Sequence, residues 1–297
     1  MFDYEKNFMG VGNIKKRQAP TSFLKVLQWK FEYRMYNFLK QIGPIKGRIC
    51  DIGCGGGEFL SKLKTLFPYG EYHGCDISRK AIELAETFSE GIKFKVIKTN
   101  TLPYPSEFFD LCISLNVLEH VKDIEAHLKE IHRILKPGGK FHICVPTEGE
   151  PFTMTWIYQK LKFGKNFTYK NWGHIHPELT HSKLIYLLKK SGFSIEKISY
   201  SLHFPTDFLN LFLYFLPKEL LFFIYKEKTF YFTDAGINQQ ILSNKASLKG
   251  PLFGLREIWL WLLKFNEIIR FLDTYFLGKI STTASTVHLT GRKKCAE

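Results

Sequence analysis

The chain has 297 residues, of which 45% are hydrophobic and 24% charged, with 28 Phe, 14 Tyr and a formal net charge of +14. That length holds one elaborated α/β domain or two small ones, and the apolar share is ordinary for a globular protein. The six cysteines follow neither zinc nor disulfide spacing, which excludes a disulfide-stapled scaffold and points to a reducing, cytoplasmic compartment.

The first 48 residues carry ten Lys/Arg against Asp3, Glu5 and Glu32. Such a segment suits an anionic partner, whether phospholipid, nucleic acid or phosphorylated substrate, or is simply a solvated face. Met1 to Pro20 is polar and has no continuous apolar core, so no signal peptide is expected. Ser22 to Ile42 reads as a helix with a partly aromatic face (Phe23, Val26, Leu27, Phe38) that Gly43-Pro44 ends. Residues 1–46 form a basic N-terminal segment and helix ahead of the main domain.

Arg48 to Ile52 is a short strand, followed by Gly53-Cys54-Gly55-Gly56-Gly57 and a helix that starts at Glu58 and runs to Phe67. A strand that breaks into glycines and then a helix brings backbone N–H groups against a ligand with no side chains in the way, which suits a nucleotide-like cofactor. A dinucleotide fold wants G-x-G-x-x-G; here Glu58 stands at the third position after Gly53 and Gly55. The chain has instead an acid and three alternating glycines, Asp51-x-Gly53-x-Gly55-x-Gly57.

Pro68-Tyr69-Gly70 turns into a second strand, Glu71 to Ile77, with Asp76 near its tip, where an acid can accept both hydroxyls of a ribose. Ser78 to Glu90 reads as a helix and Ile92 to Lys98 as strand three. Thr99-Asn100-Thr101-Leu102-Pro103-Tyr104 leads to strand four, Asp110 to Leu115, and Asn116-Val117-Leu118-Glu119-His120-Val121 opens a helix to Leu135. Lys136-Pro137-Gly138-Gly139 turns into strand five, Lys140 to Val145. Thr180 to Gly192 is the next helix, Phe193 to Tyr200 strand six and Thr286 to Lys293 strand seven. Four βα units in a row imply a parallel sheet with right-handed crossovers and helices on both faces.

Asp51-x-Gly53-x-Gly55-x-Gly57, the Leu118-Glu119-His120-Val121 phrase after strand four and the Leu135-Lys136-Pro137-Gly138-Gly139 run before strand five resemble the class I S-adenosylmethionine-dependent methyltransferase family. The resemblance implies a doubly wound, seven-stranded, mostly parallel α/β sheet of order 3-2-1-4-5-7-6, with strand seven antiparallel, over residues 47–200 plus 286–294. It implies S-adenosyl-L-methionine as cofactor. Asp51, Gly53, Cys54, Gly55 and Gly57 would shape its methionine and ribose pocket, Asp76 would take the ribose and Ile77 would pack on the adenine. Asn100, Thr101 and Leu102 would meet the adenine edge, Asn100 standing where the family commonly has an acid, and Asn116 and Val117 the methionine amino end. The substrate-side lid would run from Thr147 to Ser182, with Trp156, Tyr158, Trp172, His174, His176 and His181. His120, beside Glu119, and His174 are candidate general bases. His174-x-His176 with only Glu178 nearby is poor zinc spacing, and no metal is expected.

A helical apolar insertion, residues 201–285, separates strands six and seven. Phe208 to Tyr225 is nearly all Leu, Phe and Tyr, but Pro217-Lys218-Glu219 interrupts it, which argues against a membrane-spanning helix. Leu255 to Leu277 is a longer amphipathic helix, with Ile258, Trp261, Leu262, Phe265, Ile268, Ile269, Leu272 and Phe276 on one face and Glu257, Lys264, Glu267, Arg270 and Asp273 opposite. The insertion is expected to make peripheral contact with the inner face of a membrane, or to cover a lipid-linked substrate; a cap on its own domain or on a dimer partner is the alternative. The reading is a methyltransferase acting on oxygen, nitrogen or carbon of a small or lipid-linked acceptor. Its rivals are a non-catalytic interaction module at a membrane and a nucleic-acid methyltransferase. The latter is disfavoured, because Ser114-Leu115-Asn116-Val117 replaces the Asn/Asp-Pro-Pro-Tyr/Phe phrase of amino-group base methylation.

Overall fold

The computed structural model describes residues 32–98, 101–161, 168–169, 173–209 and 251–295. The expected helix before residue 32, Asn100, Trp172 and most of the Phe208–Tyr225 run lie outside them.

The sheet is organised around β1 (Arg48–Ile52). It pairs in parallel with β2 (Glu71–Asp76) on one side and β4 (Phe109–Leu115) on the other, so that Asp51 lies between Gly74 and Ile113. Such a strand is covered on both faces, and its side chains divide by the period of two. Ile49, with Leu111 and Ile113 of β4, packs under α1 (Tyr33–Ile42), α2 (Glu58–Leu66) and α3 (Arg79–Phe88), which contribute Met35, Phe38, Leu60, Leu63 and Ile82. Cys50 and Ile52, with Cys112, face the other core. There Leu128 and Ile131 of α4 (Ile124–Ile134) and Leu184 and Leu188 of α6 (His181–Lys190) cover Phe109, Phe141 and Phe193. A short α5 (Met154–Lys160) lies between α4 and α6 in the chain. Cys50, Cys54, Cys75, Cys112 and Cys144 are buried thiols, as expected for small hydrophobes.

Beyond β2 stands β3 (Lys93–Val96), and beyond β4 stands β5 (Leu135–Pro146). Next comes β7 (Thr286–Lys293), antiparallel to both β5 and β6 (Phe193–Ser201), which completes the order β3-β2-β1-β4-β5-β7-β6. The fold is the expected one, with local differences. The helix read from Asn116 to Leu135 is divided. Asn116 leaves β4 at a φ of 56°, Leu118–His120 makes one 3-10 turn, and α4 starts afresh where the Asp123 carboxylate accepts the Ala126 N–H at 2.9 Å. Strand five begins at Leu135 rather than Lys140, because the Lys136–Gly139 run bulges out of a ladder that already pairs Phe109 with Leu135.

The amphipathic helix extends from Pro251 to Leu277 and is labelled α7. It packs on β6 and α1, with the Phe271 and Tyr36 rings edge to face at 5.0 Å. From Phe265 to Leu277 its polar side packs inward and its apolar side faces out. Asp273 and Thr274 are buried, while Phe265, Ile268, Leu272, Tyr275 and Phe276 are exposed. Asp273 explains this orientation. Its carboxylate accepts the Leu202 and His203 N–H groups at 2.9 and 3.2 Å, the Thr206 hydroxyl at 3.0 Å and His203 Nδ1 at 3.1 Å, while His203 Nε2 donates to the Ile280 carbonyl at 2.8 Å. A buried carboxylate with that many donors is a stronger anchor than one apolar stripe.

Burial alone would lower the pKa of His203; the bonds to Asp273 and to Ile280 outweigh it and raise it. The protonated ring therefore stabilises the fold fully below the ordinary histidine pKa, and the contribution is lost as pH rises through the raised folded-state value. Asp273→Ala, which leaves that ring buried without its anion, should cost about 3–5 kcal/mol in urea denaturation. The wild type should lose stability toward alkaline pH in urea denaturation, and that decline should flatten in His203→Gln.

Candidate functional site

The carboxyl ends of β1, β2, β4 and β5 converge on the glycine loop. The Gly53 and Cys54 N–H groups both donate to the Cys75 carbonyl, at 2.7 and 3.1 Å, which folds the loop back over the end of β2. Gly53, Gly55 and Gly57 have φ values of 75°, 51° and 74°, in the left-handed region that side chains disfavour. Asp76 fixes the loop from the next strand, one carboxylate oxygen accepting Gly55 N–H and the other Ser78 N–H, each at 2.9 Å. Ile77, next in the chain, is half exposed at the rim. Asp51 is buried, its Oδ1 has no hydrogen-bond partner, and burial together with the Asp76 charge holds its carboxyl well above the ordinary range.

Two carboxyl groups around a glycine cradle suit a ligand that brings hydroxyl donors and positive charge. S-adenosylmethionine brings both, in its ribose diol and its ammonium and sulfonium centres. The residues present fit it: Asp51 and Asp76 would hold the polar groups, and Ile77 offers an apolar surface to the adenine.

The flanks of the cradle are held as firmly. Val117 lies against Gly53 so closely that a Cβ there would come within 2.3 Å of Val117 Cγ2. Asn116 N–H donates to the Cys144 carbonyl at 2.8 Å, and the Cys144 thiol donates to Asn116 Oδ1 at 3.8 Å. Leu102 is buried, and its N–H donates to Glu130 at 2.8 Å. Arg133, paired with Glu130, donates to the Leu102 and Tyr104 carbonyls at 3.1 and 2.9 Å. Thr101 is exposed beside Leu102. The Glu130–Arg133 staple is a supporting element that sequence reading missed; its signal was a Glu and an Arg three apart on α4.

On the acceptor side the two base candidates stand together, their ring centroids 4.9 Å apart. His120 Nδ1 donates to the Gly173 carbonyl at 3.3 Å, and His174 Nδ1 is hydrogen-bonded to Glu148. Burial and the neighbouring His174 push His120 down to about 4, so its ring is neutral at pH 7. Burial would also lower His174, but Glu148 outweighs it and raises the pKa. Glu119 is buried against both rings, and burial lifts it to about 7 despite the pull of His174. Glu148, just past the end of β5, was missed in the sequence; the rule that ligands meet the carboxyl ends of parallel strands could have singled it out. His176 turns away, bonding to the Val121 carbonyl at 2.7 Å, and His181 is buried beside Glu150.

This strand order, with the glycine cradle and its two acids, defines the class I methyltransferase fold. Residues 50–143 match the family model described as a methyltransferase domain, and the chain carries a class I S-adenosylmethionine-dependent methyltransferase domain. It is 29% identical over 133 residues to a ubiquinone/menaquinone biosynthesis C-methyltransferase of Desulfotalea psychrophila, covering 44% of this chain and 53% of that protein. It is 33% identical over 141 residues to a probable tRNA methyltransferase 9B of Homo sapiens, covering 46% and 28%. The matches thus span about half or less of these relatives. Among solved structures, the phosphoethanolamine N-methyltransferase 2 of Haemonchus contortus, in complex with S-adenosyl-L-methionine, superposes with a TM-score of 0.54 at 18% identity, over 96% of this chain and 61% of that one, a likeness of fold.

Gly53→Ala sets a methyl group into Val117 at a left-handed position. It should weaken S-adenosylhomocysteine binding about tenfold or more, the equivalent of about 1.4 kcal/mol, in calorimetric titration.

Proposed function

We propose that the whole chain is a methyltransferase that moves the methyl group of S-adenosylmethionine to oxygen, nitrogen or carbon of a small or lipid-linked acceptor. The observation that carries this is the pair of carboxyl groups, Asp51 and Asp76, set around the left-handed glycine loop. The cofactor supplies an already activated methyl carbon, so the protein's task is to hold nucleophile and methyl in line. An acceptor that must lose a proton would meet the group of Glu119, His120, Glu148 and His174 after β4 and β5.

The relatives are named for ubiquinone/menaquinone biosynthesis and for tRNA methylation, and the lipid-linked class is favoured here by α7. Phe265, Ile268, Leu272, Tyr275 and Phe276 of α7 are exposed, as is Ile280 just past its end, as befits a surface that leans on a bilayer at its inner leaflet. Among the described residues no helix is long and apolar enough to cross a membrane.

Asp76→Asn should bind S-adenosylhomocysteine about tenfold or more weaker than wild type in calorimetry; a wild-type protein that binds none sinks the reading. In extracts supplied with methyl-labelled cofactor, label should enter the lipid fraction. Liposome flotation should lift the wild type and leave Leu272→Glu/Phe276→Glu in solution with cofactor binding intact. Label that enters only RNA would favour the tRNA relatives instead.

A further inference from the structure

Glu119, His120 and His174 come from two segments more than fifty positions apart, yet each offers a ligand atom and these atoms all lie within 4.8 Å of one another. Glu119 is 1% exposed, and neither of its carboxylate oxygens has a hydrogen-bond partner. A buried carboxylate is costly unless paired with a cation, a donor or a metal. The nearest ring nitrogen, His120 Nε2, is 3.8 Å from Glu119 Oε1, beyond hydrogen-bond reach.

The second observation concerns how the imidazoles are held. His120 Nδ1 donates to a backbone carbonyl, that of Gly173, and His174 Nδ1 is tied to the carboxylate of Glu148. In His120 this sets Nε2 as the unprotonated nitrogen, and His174, whose Nδ1 stays with Glu148, would give up its other proton to a cation, the arrangement that orients histidines toward a metal from behind. The Glu148–His174 contact has the form of the carboxylate–histidine half of a carboxylate–histidine–metal triad.

We propose that Glu119, His120 and His174 form a binding site for a divalent first-row cation such as Zn²⁺, Mn²⁺ or Co²⁺, with Glu148 and Gly173 as the outer partners that orient the rings. Two imidazoles and a carboxylate suit this class of ion and leave coordination positions open. Ligand atoms of one ion at about 2.1 Å are at most about 4.2 Å apart, so the three side chains close by a few tenths of an ångström on binding. Both histidine side chains keep partial exposure, at 21% and 11%, which gives an ion and an acceptor oxygen a way in. The cation site stands on geometry alone; its role, to bind an acceptor hydroxyl and lower its pKa so that the proton goes to solvent, rests on the methyltransferase reading.

The test uses the full chain, stripped with a chelator and titrated with Co²⁺ while the visible d–d absorption is followed. One equivalent should bind to wild type and to His176→Ala, a histidine outside the cluster. Binding should weaken by about 10–100-fold in Glu148→Gln, which touches only the outer partner, and further in Glu119→Gln and His174→Asn. S-adenosylhomocysteine titration of the same samples reports the fold and the cofactor site independently. A wild type that binds S-adenosylhomocysteine but no Co²⁺, or Co²⁺ binding unchanged in all three variants, overturns the cation site and leaves the methyltransferase reading standing. Co²⁺ binding as expected without any S-adenosylhomocysteine binding does the opposite.

Discussion

One carbonyl holds the ligand-binding end of the molecule together. The Cys75 oxygen at the end of β2 takes two N–H donors from the loop that leaves β1, those of Gly53 and Cys54. Those bonds turn the chain away from the sheet and present the following backbone to Asp76. The three left-handed glycines follow from that sharp turn, because side chains there would meet Val117 at Gly53 and Phe94 at Gly57. The helix beginning at Glu58 follows in turn, since Gly57 is its N-terminal cap. A strand-to-strand splice of this kind couples two neighbouring loops, so whatever binds Asp76 also senses the glycine loop.

Much of this was written in local patterns. The alternating glycines, Asp76, the apolar strands and the turn before strand five are short-range signals, and they placed the sheet order and the cofactor side of the site. The acceptor side was less legible. His120 and His174 could be named singly, but that they touch, with Glu119 and Glu148 between and behind them, is a product of packing between loops far apart in the chain. Spacing rules for metal ligands look along the sequence, and His174-x-His176 failed them for the sound reason that His176 is spent on the Val121 carbonyl.

Helix α7 shows that a helical wheel finds the two faces of a helix but not which of them packs inward. A wheel assigns the apolar face to the core on the assumption that the partner surface is apolar. Here the partner surface ends in the N–H groups of Leu202 and His203 and a buried imidazole, and it is Asp273 that satisfies them. Buried backbone donors outweigh the burial of a few more apolar side chains when no water can replace the acceptor. The apolar stripe is left outward as a consequence of that choice.

The position of β7 imposes an order of events on biosynthesis. In the sheet it lies between β5 and β6, and among the described residues β6 pairs with no other strand, yet residues 286–293 of β7 follow all of these in the chain. A ribosome therefore releases β5 with one edge bare, then β6 with no strand to join, then the apolar residues between β6 and β7, before the strand that closes the sheet emerges. Bare edges beside apolar segments are where nascent chains stick to each other. Completion of the sheet waits on a long-range pairing, and a chain of this design depends on shelter during synthesis more than one whose strands pair as they appear.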